Sequence, residues 1–304
     1  NQLFPSLPID TAMIIFAAII LVYTFLGGYK AVCWTDFFQG MLMLVALLTV
    51  PIVMMFFGDK DVTLLNKAVT GSDGTVYTFV TKMFSASPKE ILSGLAWGLG
   101  YFGMPHILIR FMSIEKPSMV KKSATVAIIW VVLTLAATIV LAYIGRMYIT
   151  DGASFAESLL SSGQQELIFV KLTRFIFPSF IAGILLAAII AASMSTADSQ
   201  LLVASSSFTS DIYKPIIHKN ASQKELLWVG RIVVMIVAVV AYFIASSKGE
   251  GAQAIMDMVS NAWALFGASF GPVILLSLFW KNFTYKGAVS GIVSGAVVDI
   301  LWLI

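Results

Sequence analysis

Charge is what this chain has least of. Only 12% of its 304 residues are Asp, Glu, Lys or Arg and 59% are hydrophobic, where a water-soluble domain has about 25% charged and about 45 to 50% apolar residues. That balance excludes an ordinary soluble domain. Cysteine occurs once, as Cys33, which rules out an internal disulfide and a cysteine-rich metal site and leaves a small buried residue. With only two histidines, His106 and His218, a histidine-based metal centre is not expected. No acid, base and nucleophile are grouped as a hydrolase needs, so no enzyme is expected. The net charge of +3, from 19 basic and 16 acidic residues, is too small to attract nucleic acid. An initial Met, a basic leader and a cleavage signature are also missing, and the chain ends inside an apolar run at Ile304. The expectation is a piece of a longer chain, cut at both ends.

Long apolar runs are abundant. Thr11 to Leu26 and Ala124 to Tyr143 are continuous rather than alternating, which favours helices over the short alternating strands of a membrane barrel. At about 20 residues per crossing, the composition allows roughly eight spans. The sequence places them at 10–28, 34–57, 88–111, 120–148, 174–207, 226–246, 258–280 and 286–304, the last one truncated. The fold class expected is an all-α polytopic membrane protein, one incomplete transmembrane domain over 1–304. Gly27 and Gly28 separate the first two spans by a tight turn. Two longer connections, Gly58 to Ser87 and Thr150 to Thr173, are polar and amphipathic; solvated surface loops and a lid both fit them. With alternate crossings, eleven of the 19 basic residues fall on one side, among them Lys30, Arg110, Lys121, Lys214 and Lys281. The other side carries Lys60, Lys67, Lys82, Arg146 and Lys248 among others, accompanied by acids such as Asp59, Asp73, Asp151 and Glu157. Cytoplasmic loops favour Lys and Arg, so the larger group is placed inside.

Three places are unsuited to plain hydrocarbon. The span 88–111 carries Trp97, Gly98, Gly100, Tyr101, Gly103, Met104, Pro105 and His106. Its glycines and proline predict an interrupted helix, with Trp97 and Tyr101 on one face. A midplane binding site and a proline-kinked packing helix both fit. Gly98, Gly100 and Gly103 also spell the dinucleotide-binding spacing, which is rejected because no strand precedes it and no acidic residue follows about 20 positions on. The second place is Ser195, Thr196, Asp198 and Ser199, an oxygen-rich stretch that suits a hard cation or, equally, hydroxyls bonded back to their own helix. The third is Asp36, an acid at the entrance of a membrane segment. Asp10, Asp257 and Asp299 are expected to face water near span ends.

These stretches carry a resemblance. The run from Gly27 to Gly40, GGYKAVCWTDFFQG, resembles the signature of the sodium:solute symporter family. Trp97 to Met112, Met194 to Ser206 and Ala262 to Pro272 resemble its bacterial proline-transporting members. The resemblance implies a five-plus-five inverted-repeat transporter fold, present in part: the last two helices of the first repeat, the whole second repeat and the start of a peripheral helix. The first core helix, which completes the sodium site in the family, is not in the sequence, and the piece alone is not expected to fold or transport.

The same resemblance implies site roles. Ala192 offers a carbonyl, and Ser195 and Thr196 offer hydroxyls, to sodium. Asp36 and Ser199 border a candidate second sodium position. Asp198 stands there in place of a small residue, leaving a second ion or an altered sodium affinity open. Trp97, Gly98, Tyr101, Met104 and Pro105 shape the substrate pocket, with Met104 where the proline transporters have Gln. Trp263 and Phe266 lie on a gating helix with Gly267 and Pro272. The function implied is sodium-driven uptake of L-proline by alternating access, in the plasma (inner) membrane and with the lipid bilayer as surroundings. Symport of another small organic solute and a symporter-like sensor domain are the alternatives.

Overall fold

The apolar runs fold into helices, seen in a computed structural model that describes residues 7–72, 74, 76–77, 86–150, 153–247 and 252–303. In chain order these are α1 (Ile9–Phe56), α2 (Pro88–Gly100), α3 (Pro105–Met112), α4 (Val120–Met147), α5 (Phe155–Ser161), α6 (Ile168–Ile176), α7 (Ser179–Ser207), α8 (Gln223–Ser247), α9 (Ala252–Phe279) and α10 (Tyr285–Leu303). Among the described residues, five stretches are long and apolar enough to cross a membrane: 10–56, 117–147, 179–217, 223–245 and 256–279. Asp73, Lys82, Asp151 and Lys248 of the charge survey lie outside the described residues.

The first stretch holds two of the expected spans, because α1 is broken at one residue. Gly28 has φ 59° and ψ −162° while its neighbours stay helical; a side chain there would be strained. The break reverses the chain. Tyr23 and Gln39 would lie about 24 Å apart on a straight helix, yet the Gln39 amide reaches the Tyr23 hydroxyl. The turn is shorter than the sequence implied, since helical geometry resumes at Tyr29 rather than near 34.

The chain forms two compact units, Asn1–Ser85 with Lys121–Asp198 and Ala86–Val120 with Ser199–Ile304. In the first, Ala46, Val50 and Met54 of α1 pack with Leu141, Ile144, Leu172, Leu185 and Ala188 into a buried core. The expected span 174–207 is divided there. Pro178 cannot extend α6, and α7 starts only at Ser179. Beyond Ser207 the helix widens into a π-helix over Phe208–Ile217 rather than ending.

Over their described residues, the two long connections of the first unit are tied to the helices around them. Asp61 N–H donates to the Met147 carbonyl at 2.9 Å and Ile149 N–H to the Asp59 carbonyl at 3.0 Å. Lys60 Nζ donates to the carbonyls of Met54, Phe57 and Gly58, closing the end of α1. Lys67 Nζ pairs with both Glu157 carboxylate oxygens at 2.9 Å. The Thr63 hydroxyl and N–H hold the Asp61 carboxyl below its ordinary pKa. Arg146, counted by sequence among the outer loop cations, is instead completely buried. Its Nε donates to the Leu64 carbonyl at 3.2 Å and its Nη2 to the Lys67 carbonyl at 2.7 Å. Amphipathic sequence reads alike in a free loop and in a folded cap; only the long-range bonds separate them.

In the second unit α9 and α10 are antiparallel neighbours, with Gly291 against Val273 and Gly295 against Ala268 and Ser269. Ser205 Oγ donates to the Gly230 carbonyl at 2.7 Å, tying α7 to α8. Asp299, expected to face water, is only 9% exposed, because the glycine contacts draw that face of α10 onto α9.

Arg146→Ala removes the donors that hold the 62–67 segment and is expected to destabilise the first unit by about 1–3 kcal/mol. Thermal unfolding in detergent should show a lower midpoint together with faster proteolysis between residues 59 and 72. Arg146→Lys should recover only part of the loss, since one ammonium does not reproduce the guanidinium fork.

Candidate functional site

The interrupted helix is built by its sequence. A capping box between Ser87 and Glu90, with Pro88 at the first helical position, starts α2. Regular hydrogen bonding stops at Gly100, and Tyr101–Gly103 forms a 3₁₀ turn. Met104 is extended at φ −81° and ψ 112°, and Pro105 restarts the helix where its missing N–H costs nothing. Around this break the second unit gathers aromatic rings. Trp97 and Trp263 stack at 5.5 Å, and Tyr101 meets Trp263 edge-on at 4.6 Å. Trp263 Nε1 donates to the Trp97 carbonyl at 3.0 Å. Close approach here needs glycine, because a Cβ at Gly103 would overlap the Phe266 carbonyl and one at Gly100 the Trp263 ring. Trp97 and Tyr101 remain partly exposed while Met104 is buried. The Gly98 face is open, with no atom within 4 Å of where a Cβ would stand. Phe266 stacks on Phe270 at 6.0 Å. The structure thus brings together Trp97, Tyr101 and Trp263, which sequence reasoning had assigned to two different roles.

In the first unit the hydroxyls of α7 turn back on one carbonyl. Ser195 Oγ donates to the Ala192 carbonyl at 3.0 Å and Thr196 Oγ1 to the same oxygen at 3.1 Å. This is the back-bonding that the sequence left open, and it gathers three oxygens at one point on α7. Asp198 is completely buried, and the Tyr23 hydroxyl donates to its Oδ2 at 2.7 Å. Asp36 lies near that same hydroxyl, and Thr24 is buried beside Tyr23 in sequence with no partner for Oγ1 among the described residues. In the second unit Ser199 is buried, and its Oγ accepts from Arg110 Nη2 at 2.6 Å.

Sequence reasoning missed Tyr23, Thr24, Gln39 and Arg110. Tyr23 and Thr24 sit inside an apolar run with no charge to mark them, and Arg110 was counted only as an orientation signal. One clue was present for Gln39, a polar residue three positions after Asp36 and therefore close to it on the helix surface.

The sodium:solute symporter family pattern matches residues 2–295. The chain belongs to that family. The sodium/proline symporter of Escherichia coli (strain K12) is 39% identical over 297 residues, covering 96% of this chain and 57% of that protein. A Haemophilus influenzae sodium/proline symporter is 41% identical over 298 residues, covering 98% and 58%. The high-affinity proline transporter of Bacillus subtilis (strain 168) is 40% identical over 294 residues, covering 96% and 59%. The chain therefore spans somewhat more than half the length of these relatives. A solved sodium-coupled sialic acid symporter, in a substrate-bound outward-open state, is similar in fold at a TM-score of 0.66 and 19% identity, over 98% of this chain and 68% of that one. The fold is the all-α, five-plus-five inverted-repeat kind, and the chain is a multi-pass membrane protein of a transporter family, not an enzyme family.

Gly103→Ala and Gly267→Ala force a Cβ into backbone and are each expected to cost about 1–3 kcal/mol. Gly98→Ala enters open space within a helix and should be neutral or slightly stabilising. Thermal unfolding of the three variants in detergent checks the contrast.

Proposed function

We propose that the chain takes part in sodium-coupled symport of a small zwitterionic solute, L-proline in the first instance, by alternating access in the plasma (inner) membrane. The convergence of Ser195 Oγ and Thr196 Oγ1 on the Ala192 carbonyl carries this reading, because neutral oxygens at about 3 Å suit a cation that must leave again. Family membership and the proline-transporting relatives support it. In the scheme Ala192, Ser195 and Thr196 bind sodium. Asp36 and Asp198 form an acidic cluster that takes a second sodium or tunes affinity for the first. Trp97, Gly98, Tyr101, Met104 and Pro105 receive the solute, and Trp263 and Phe266 gate access.

The driving force is ample. One monovalent cation entering down a potential of 100 mV, inside negative, contributes about 2.3 kcal/mol, which is roughly fortyfold accumulation before any sodium gradient is counted. Linkage makes the coupling reciprocal, so sodium tightens solute binding by the factor with which solute tightens sodium. Met104 favours a second reading, symport of a different small organic solute, since a buried thioether cannot replace the hydrogen bonds of an amide.

Uptake of labelled proline by the protein in proteoliposomes under an imposed sodium gradient tests the proposal. Uptake should require sodium and be blocked by excess unlabelled proline; block by another solute alone would move the assignment to that solute. Ser195→Ala and Thr196→Ala should each raise the sodium concentration for half-maximal uptake roughly tenfold, the effect of about 1.4 kcal/mol. An unchanged sodium dependence in both variants would count against the site.

A further inference from the structure

Arg110 stands in the last turn of α3, five positions beyond Pro105, where a cation also suits the carbonyl end of the helix. Its Nη2 donates to Ser199 Oγ at 2.6 Å, and Ser199 is 7% exposed. Hydrogen bonds from an ionised donor are short, directional and about twice as strong as neutral ones. At a buried hydroxyl such a bond is electrostatically stronger than it would be in open water, and losing it would leave the hydroxyl without its charged donor.

The two ends of this bond belong to different parts of the transport scheme. α3 is only eight residues long, and its first residue, Pro105, is the second edge of the break at Met104. Ser199 lies in α7 one helical turn beyond Ser195, so α7 carries both the sodium hydroxyls and the acceptor for Arg110. We infer that the Arg110–Ser199 hydrogen bond is a coupling latch: it fastens the half-helix that follows the substrate break to the helix that carries the cation ligands, so that each ligand is sensed at the other's helix. Arg110 is a positioning residue in this scheme and touches neither ligand. A half-helix hinged at the extended Met104 and tethered at its far turn has few ways to move, which makes the tether a natural point of transmission.

The latch rests on the sodium-coupled reading above. Its test is the ratio of proline dissociation constants without and with saturating sodium, measured by equilibrium binding to the purified protein. The unsubstituted protein should show a ratio of at least about fivefold, within the usual range of coupling. Arg110→Gln and Ser199→Ala should each reduce that ratio to below about twofold. The double variant should lose no more than either single one, as partners in one bond do. Ser199→Thr, which keeps the hydroxyl, should preserve most of the ratio. A merely structural role would weaken proline binding equally with and without sodium and leave the ratio intact, and that result would overturn the latch. An undiminished ratio in Ser199→Ala would also overturn it while leaving the symport reading standing. Absence of any sodium effect in the unsubstituted protein would overturn both.

Discussion

Hydrocarbon offers no hydrogen bonds, so every carbonyl or N–H released where a membrane helix is interrupted must find a partner within the protein. The interruptions of this chain follow from that constraint. At the 101–104 break, Met104 N–H returns to the Tyr101 carbonyl at 3.3 Å, and the indole of Trp263 takes the Trp97 carbonyl. On α7 the Ala192 carbonyl attracts two hydroxyls. At the end of α1 one lysine, Lys60, serves three carbonyls. At the break and at the end of α1 the released groups are taken up within the same unit, by backbone, indole or ammonium, and on the uninterrupted α7 two hydroxyls share one carbonyl.

In the proposed symport these hydroxyls exchange a protein partner for a travelling ion. A hydroxyl bonded to its own helix suffers little desolvation when no ion is present, and turning to an ion is a small rotation of one χ angle. The aromatic rings at the break are less enclosed. Trp97 and Tyr101 are only partly covered by Trp263, so each keeps exposed apolar surface beside the break.

Much of this architecture is legible in the sequence because it is local. Continuous apolar runs predict α4, α8 and α10 nearly to their ends, the paired glycines predict the reversal at Gly28, and the Gly and Pro pattern predicts the break at Met104. What is not legible depends on residues far apart in the chain. Arg146 is a loop cation by hydropathy, and only the returning 62–67 segment supplies the carbonyls that bury it. Asp198 reads from the sequence only as one oxygen among its α7 neighbours, and its partner Tyr23 lies 175 positions away. Pro178 was readable as a helix boundary, yet the apolar composition on both sides of it hid the division between α6 and α7. Asp299 was assigned to water from its place near the end of a span, whereas glycine packing on α10 draws it inside.

The single-residue reversal at Gly28 also sets how this part of the molecule can vary. Because one residue turns the chain, neither arm has slack, and the alignment of Tyr23 with Gln39 and Asp198 is fixed by counting residues from the bend. Adding one residue to an arm between the bend and Tyr23 or Gln39 would rotate everything beyond it by about 100° and carry the phenol or the amide to the opposite side of its helix. Substitutions along these arms can be absorbed by lipid or by neighbouring side chains, but insertions and deletions cannot, so divergence here should proceed by exchange of residues at constant length.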